Sequence, residues 1–173
     1  AEGMFRHEGK NSMFNFTANL EHFRPDSLHL IDKYESPDIS LSLNADFTGN
    51  NIDNLEGNIT IDSLSFLTAP SSFFLKKFQV TASGHSLDRH LTISSDILNG
   101  EVTGAYSFKT IIPSFMNTFK GYIPALINAT QKKQKVEENN FSLLLTVENT
   151  EKISETLKLP VTIVNQARIT GHY

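Results

Sequence analysis

A strict alternation of apolar and polar residues between positions 39 and 49 constrains this chain more than any other feature of its sequence. The apolar residues stand at the odd positions: Ile39, Leu41, Leu43, Ala45 and Phe47. Successive side chains of a β-strand point to opposite faces of its sheet, so a period of two predicts a strand with one apolar and one polar face. At roughly 3.3 Å per residue, this strand is expected to be on the order of 30 Å long. The function of the chain is therefore to be sought on the apolar face.

The same alternation recurs along most of the chain. It predicts strands at residues 13–20, 55–61, 78–82, 91–93, 98–108 and 141–147. We expect these strands to form a curled antiparallel or mixed sheet in which the apolar residues of different strands share one side, called the apolar face below. The residues predicted to line it are Ile39, Leu41, Leu43, Phe47, Ile59, Ile61, Val80, Ile93, Val102, Tyr106 and Phe108.

Two local features modify this pattern. The alternation slips by one residue at Asp62 and Ser63, and a slip of one residue turns the following apolar side chains to the wrong face unless a β-bulge absorbs it. We therefore predict a bulge at these two residues. Gly100 and Gly104 both fall on the apolar side of one strand, where glycine permits a sheet to bend or another group to approach closely. We favour a strongly curled sheet.

Helical periodicity replaces the alternation at residues 113–127. Apolar residues recur there at spacings of three and four, which predicts an amphipathic helical insert that begins near Pro113. The apolar side chains along one side of this helix have to be buried, so we expect the helix to lie across the apolar face and partly plug it. The predicted plug residues are Phe115, Met116, Phe119 and Tyr122. A second short helix is predicted at residues 150–157, with Thr150 as its cap.

Length and composition fit one structural unit over residues 1–173. The apolar fraction is 39%, as expected when half of each strand is polar. The net charge is −4 and no basic cluster stands out, so the electrostatic signature of nucleic-acid binding is missing from the sequence. The chain has no cysteine, which excludes disulfides and thiolate metal sites. No apolar run is long enough to span a bilayer as a helix.

The sequence offers no recognisable catalytic or cofactor motif. None of its six histidines lies at a metal-ligand spacing from another, and the chain has no nucleophile elbow, phosphate-binding glycine loop or dinucleotide fingerprint. His85 and His90 flank Asp88 and Arg89 in a predicted hairpin loop, where a solvated turn is favoured over a site. We therefore expect no enzyme activity, no metal and no cofactor.

Several stretches resemble the TamB-like translocation and assembly module proteins of Bacteroidetes type, which belong to the AsmA-like, bridge-like lipid-transfer superfamily. The stretches are residues 24–30 (RPDSLHL) and 43–59 (LNADFTGNNIDNLEGNI), the helical insert at 113–124 (PSFMNTFKGYIP) and the closing segment at 159–173 (LPVTIVNQARITGHY). The resemblance as a whole extends over most of this chain but only a small part of such a protein. The stretches are patterns of glycine and apolar residues without catalytic groups.

The resemblance implies a fold, a function and a location. The sheet would be curled into a taco-like trough whose apolar interior carries phospholipid acyl chains, so the residues of the apolar face would be lipid-facing. The chain would be an internal segment of a long periplasmic protein that is anchored in the inner membrane and reaches the outer membrane. There the full-length protein would cooperate, through other regions, with a barrel partner in outer-membrane biogenesis.

A non-enzymatic, secreted β-sandwich that binds a protein or glycan partner is the alternative interpretation. The two interpretations differ in what covers the apolar face, because a sandwich places a second sheet on it and a conduit leaves a trough.

Overall fold

The computed structural model of the protein describes residues 2–8, 11–28, 30, 33–85, 87–108 and 139–172. These residues form ten β-strands, one short α-helix and two 3-10 turns. The strands are β1 (Glu2–Glu8), β2 (Asn11–Phe23), β3 (Asp38–Gly49), β4 (Glu56–Leu67), β5 (Ser72–Leu75), β6 (Phe78–Ser83), β7 (Arg89–Ser95), β8 (Leu98–Ala105), β9 (Asn140–Val147) and β10 (Ala167–His172). The helix α1 is Glu151–Leu157, and the turns are Asp26–Leu28 and Ile52–Asn54.

All ten strands belong to one antiparallel sheet. The strand order is β1-β2-β3-β4-β6-β7-β8-β9-β10, and β5 extends β6 along the same side of β4. Within the described residues the sheet is not closed, and β1 and β10 are its edges. The predicted mostly-β fold class, with one curled sheet and a short second helix, is confirmed. The second sheet that a sandwich requires is not found in the described part of the chain.

The register of the strands places one apolar side chain opposite another across the whole sheet. Directly opposed residues of antiparallel strands point to the same face. One row of such residues crosses nine strands: Gly3, Phe16, Ala45, Ile59, Val80, Ile93, Gly100, Leu145 and Ile169. We call it the central row. The opposite face carries mainly serine, threonine, asparagine and charged residues.

The predicted β-bulge lies in β4 where the sequence indicated it. Ser42 pairs with Ser63 and Leu43 pairs with Ile61, so the pairing with β3 skips Asp62. The extra residue restores the apolar residues on both sides of the slip to one face. At the same point the other side of β4 changes its partner from β6 to β5. The bulge prediction is therefore confirmed.

Gly100 and Gly104 both allow a neighbouring group to approach closely, which is one of the two roles expected of them. Gly104 has a φ of 125°, which other residues rarely adopt, and a Cβ atom there would collide with the carbonyl oxygen of Asn140. Gly100 has ordinary strand backbone, and its missing side chain makes room for Leu145 instead. A third glycine, Gly57 in β4, has a φ of 142° and also lies on the apolar face.

The sequence did not predict strands β1 and β5, because a short alternation bounded by charged or proline residues gives a weak signal. The short helix is confirmed, but Thr150 is not its side-chain cap: the amide N–H of Glu151 donates to Oδ1 of Asn149 at 2.8 Å. The helical insert at 113–127, with its predicted plug residues, lies outside the described residues.

Candidate functional site

The apolar face brings together all the described residues that the sequence placed there. Register puts Ile39, Leu41, Leu43 and Phe47 of β3 on the same side as Ile59 and Ile61 of β4, and pairing then leads to the members on later strands. Those members are Val80, Ile93 and Val102, followed by Tyr106 and Phe108 just beyond β8. Pairing therefore establishes the shared face of the strand residues, and packing against Val102 and Phe141 places Tyr106 and Phe108 beside them. The plug residues Phe115, Met116, Phe119 and Tyr122 lie outside the described residues.

Burial varies across the apolar face. Its middle, which includes Leu43, Ile59, Val80 and Ile93, is half-buried. The two fully buried zones lie towards opposite ends of the strands, where other elements fold over the face. The β1–β2 edge is the most open part, with Phe14 and Phe16 more than 40% exposed. A large apolar surface flanked by two covered ends is thus the main feature of the molecule.

Helix α1 covers one end of the apolar face. Its residues Ile153 and Leu157 pack against a cluster formed by Phe66, Phe73 and Leu75. In the sheet, β5 is in line with β6 and lies three strand spacings from β9, or about 14 Å, and yet α1, which follows β9, contacts β5. The contact is the one expected when the sheet curls towards its apolar face.

The loop between β2 and β3 completes this covered end. The ring of Tyr34 packs edge-on against Phe66 with 5.3 Å between ring centroids. The Tyr34 hydroxyl and the Lys33 ammonium donate to the carbonyl oxygen of Leu157 at 3.3 and 3.2 Å. The loop and the helix therefore hold each other over the same cluster.

A polar contact closes the other end. Oδ1 of Asp53, in the turn between β3 and β4, accepts hydrogen bonds from the Ser107 hydroxyl at 2.8 Å and from the Phe108 amide at 2.7 Å. These groups follow β8, which lies three strand spacings from β4, or about 14 Å in a flat sheet. Beneath this contact lies a buried cluster of Val102, Tyr106 and Phe141.

Arg89 places a positive charge inside this apolar end. It begins β7 on the same side of the sheet as Leu91 and Ile93, and its side chain is 12% exposed. The guanidinium carbon lies 5.8 Å from the Tyr106 ring and 5.9 Å from the Phe108 ring, within cation–π range. Its Nη1 atom is 3.9 Å from Oδ1 of Asp53. Within the described part of the chain, Nε and Nη1 are buried and have no hydrogen-bond acceptor.

Tyr106 adds a second buried polar group to the same cluster. The residue is 5% exposed, and its hydroxyl lacks a hydrogen-bond partner among the described residues. Burial raises the pKa of Tyr106 from 10.0 to about 12, because the phenolate is poorly solvated, and the positive charge of Arg89 opposes this shift in part.

The histidines named in the sequence analysis do not form a site together. On the polar face His90 lies 2.7 Å from Glu101, whereas His85 lies 2.9 Å from Glu56 at the end of the neighbouring strand. Each is an exposed, isolated pair. No group of three or more His, Asp or Glu side chains with metal-binding geometry occurs in the described ranges. The described residues also include no helix with the length and apolarity to cross a bilayer.

Sequence reasoning missed Arg89 and Asp53 as members of the candidate site. The signal for Arg89 was present, since it stands two residues before Leu91 and therefore in phase with the apolar face. The sequence around Arg89 favours a solvated turn instead, because charged residues surround it. Asp53 could not have been found from periodicity, because it lies in a turn that reaches the site only through the curl of the sheet.

Comparison with known proteins gives no match: no family model matches this chain, and neither a curated protein nor a solved structure is significantly similar to it.

Proposed function

We propose that this chain is a segment of a TamB-like envelope protein that spans the periplasm, and that its apolar face carries phospholipid acyl chains between the inner and outer membranes. The full-length protein would be anchored in the inner membrane and would meet an outer-membrane barrel partner through other regions. It would thereby support lipid transport, outer-membrane protein assembly or both. The proposal includes no catalytic step.

The central row carries this proposal. Nine directly opposed residues, all of them apolar or glycine, cross the sheet over about 38 Å at roughly 4.8 Å per strand. Apolar surfaces of this extent that are only half-buried usually mark a binding surface for a partner, a ligand or a lipid. An acyl chain is itself apolar along its whole length, so it suits a surface on which no polar partner has to be matched.

The arrangement of the covers also supports a lipid ligand. Helix α1 and the Asp53 turn fold over opposite ends of the strands, and the middle of the apolar face between them is half-buried. A surface shielded at both ends and less covered between them suits a flexible chain that enters from the side. The resemblance of residues 24–30, 43–59, 113–124 and 159–173 to TamB-like proteins points to the same ligand.

Site-specific photo-crosslinking to lipid tests the proposal. A photoreactive amino acid is placed at Leu43, Val80 or Ile93 on the apolar face, and the matched controls carry it at Ser42, Thr81 or Ser94. Each control is the neighbour of a test position and points to the opposite side of the sheet. The purified variants are mixed with phospholipid vesicles, irradiated and analysed by mass spectrometry.

We expect lipid adducts from the three apolar-face positions and few or none from the controls. Equal yields from both sets would mean non-specific contact with vesicles and would contradict the proposal. Crosslinks from the apolar face to protein alone would instead favour the β-sandwich alternative or another protein-binding role.

A further inference from the structure

The guanidinium of Arg89 is a buried cation with unused hydrogen-bonding capacity. Its Nε and Nη1 atoms are buried without an acceptor among the described residues, while the side chain as a whole is 12% exposed. A buried donor without an acceptor loses its hydration and gains nothing in return. An acceptor supplied by a ligand would remove this cost.

Asp53 does not supply that acceptor. Its Oδ1 atom already accepts two short hydrogen bonds, from Ser107 and Phe108, and lies 3.9 Å from Nη1 of Arg89, beyond hydrogen-bond distance. Its negative charge attracts the guanidinium at this distance, but the carboxylate makes no hydrogen bond to Nη1. Arg89 is therefore held in place by the two aromatic rings and Asp53, with donors left over for an anion.

The position of Arg89 on the apolar face indicates how a bound anionic molecule would be oriented. Leu91 and Ile93 follow it at intervals of two along the same strand, and Ile93 belongs to the central row. A molecule whose anionic end contacts Arg89 could extend an apolar chain along β7 towards the half-buried middle of the face. The cation and the apolar residues of β7 are thus complementary to the two parts of an anionic amphiphile.

We propose that Arg89 binds the phosphate of a phospholipid head group, while the acyl chains lie on the apolar face. The inference rests on the proposed function and adds the orientation of the lipid: its head group lies at the Asp53 end and its chains point towards α1. The Tyr106 hydroxyl, a further buried donor in the same cluster, is available to the same head group.

A pair of lipids that share their acyl chains isolates the head-group contribution. Dioctanoyl phosphatidylglycerol and dioctanoylglycerol differ by the phosphate-containing group, and inorganic phosphate serves as the third probe. Binding of each probe to the whole chain is measured by calorimetry below the micelle concentration of the lipids. The variants are Arg89→Gln and, as a matched control, Arg168→Gln, which removes an exposed arginine of β10.

We expect the unchanged chain to bind phosphatidylglycerol about tenfold to a hundredfold more tightly than dioctanoylglycerol, as charge-assisted hydrogen bonds allow. Arg89→Gln should abolish this preference and leave dioctanoylglycerol binding unchanged, whereas Arg168→Gln should alter neither. Inorganic phosphate should bind much more weakly than phosphatidylglycerol, because it makes no contact with the apolar face.

A second variant distinguishes a loss of phosphate recognition from a loss of folding. Asp53→Asn keeps an oxygen that accepts from Ser107 and Phe108 but removes the negative charge beside Nη1. If Arg89 binds a phosphate, this variant should bind phosphatidylglycerol more tightly, and an unfolded protein cannot show that gain. A purely structural role of the Arg89–Asp53 pair predicts no gain.

Four results would overturn the inference. Equal affinity of the unchanged chain for the two lipids would show that Arg89 does not recognise the head group, while the proposed function would stand. An equal loss for both lipids in Arg89→Gln would assign Arg89 to packing. Inorganic phosphate that binds as tightly as phosphatidylglycerol would identify a site for free anions. If neither lipid binds the unchanged chain, the proposed function fails and this inference fails with it.

Discussion

Single residues on the apolar face are subject to backbone as well as side-chain constraints. Gly57 lies in the middle of the sheet, between Phe47 of β3 and Ala82 of β6. Its φ of 142° is unfavourable for other residues, and a Cβ atom there would overlap the carbonyl oxygen of Asp46. The glycine therefore determines how closely β3 and β4 approach each other at this point.

We expect Gly57→Ala to lower the free energy of unfolding by about 1–3 kcal/mol, because the new methyl group adds a steric clash to a strained backbone. Gly171→Ala is the matched control: Gly171 is also a strand glycine, but a Cβ atom at that position would have no neighbour within 4 Å. The control should change stability by less than about 0.5 kcal/mol. Urea denaturation of both variants measures the difference, and similar losses would contradict this account of Gly57.

Tyr106→Phe removes a buried hydroxyl that has no hydrogen-bond partner among the described residues. This change should leave stability at pH 7 unchanged or raise it by roughly 1 kcal/mol. The pKa of Tyr106 is about 12 in the folded chain and near 10 when unfolded, so above pH 10 the unfolded chain loses a proton that the folded chain keeps. The unsubstituted chain therefore loses stability as the pH rises from 10 to 12, and the variant lacks this loss.

The advantage of Tyr106→Phe over the unsubstituted chain should widen when denaturation is followed from pH 9 to pH 11. A variant that is clearly less stable at pH 7 would show that the hydroxyl has a partner. An advantage that stays constant with pH would show that Tyr106 ionises normally.

At the scale of elements, strand β4 has to serve three neighbouring strands with one sequence. It pairs with β3 along its whole length, with β6 before the bulge and with β5 after it. The bulge at Asp62 gives both halves the same apolar side despite the slip in the alternation. The extra residue itself is exposed and contributes one long hydrogen bond, in which the Asn44 side-chain amide donates to Oδ2 of Asp62 at 3.4 Å.

Deleting Asp62 should therefore be tolerated, because Ile61, Ser63 and Leu64 then alternate without a slip. Deleting Thr60 instead should abolish cooperative folding, since it turns Ile61 to the polar face and Asp62 to the apolar face. Thermal denaturation followed by circular dichroism compares the two deletions. Each removes one polar residue of β4, and the two deleted positions are two residues apart. Comparable destabilisation by both deletions would contradict the register of β4 with β3.

At the scale of the whole molecule, the sheet has a stable centre and two free edges. Strands β4, β6, β7 and β8 are paired on both sides, whereas β1 and β10 are each paired on one side among the described strands. The open edges and the exposed aromatic residues of β2 leave that margin with less packing than the centre. Local opening should therefore be easiest at the margins of the sheet.

Amide hydrogen exchange should follow this gradient. We expect the slowest exchange in β6 and β7 and the fastest among the strands in β1 and β10, whose outward backbone groups face no described strand. Mass-spectrometric exchange on the isolated chain measures the order. If β1 were as protected as β7, its outer edge would be paired in solution, with a second copy or with another part of the chain.

The alternation of residue types was sufficient to predict most of the strands, though not β1 and β5, together with the apolar face and the bulge of β4. Each of these follows from local geometry, because a period of two fixes which side chains share a face and a slip in that period requires an extra residue. The central row needed one further step, since its members become neighbours only through the register between strands. That register agrees with the pattern because a shift of one residue would turn the apolar residues of a strand to the polar face.

The polar end of the apolar face was decided by the tertiary structure alone. Asp53, Arg89 and Ser107 come from three separate connections or strand ends, and nothing in their local sequence relates them to one another. They meet because the sheet curls and brings the turn after β3 over the end of β8. Only that arrangement buries Arg89 against two aromatic rings and leaves its Nε and Nη1 atoms without an acceptor among the described residues. The sequence by itself therefore determined an apolar surface, whereas the tertiary structure placed a charge at one end of it.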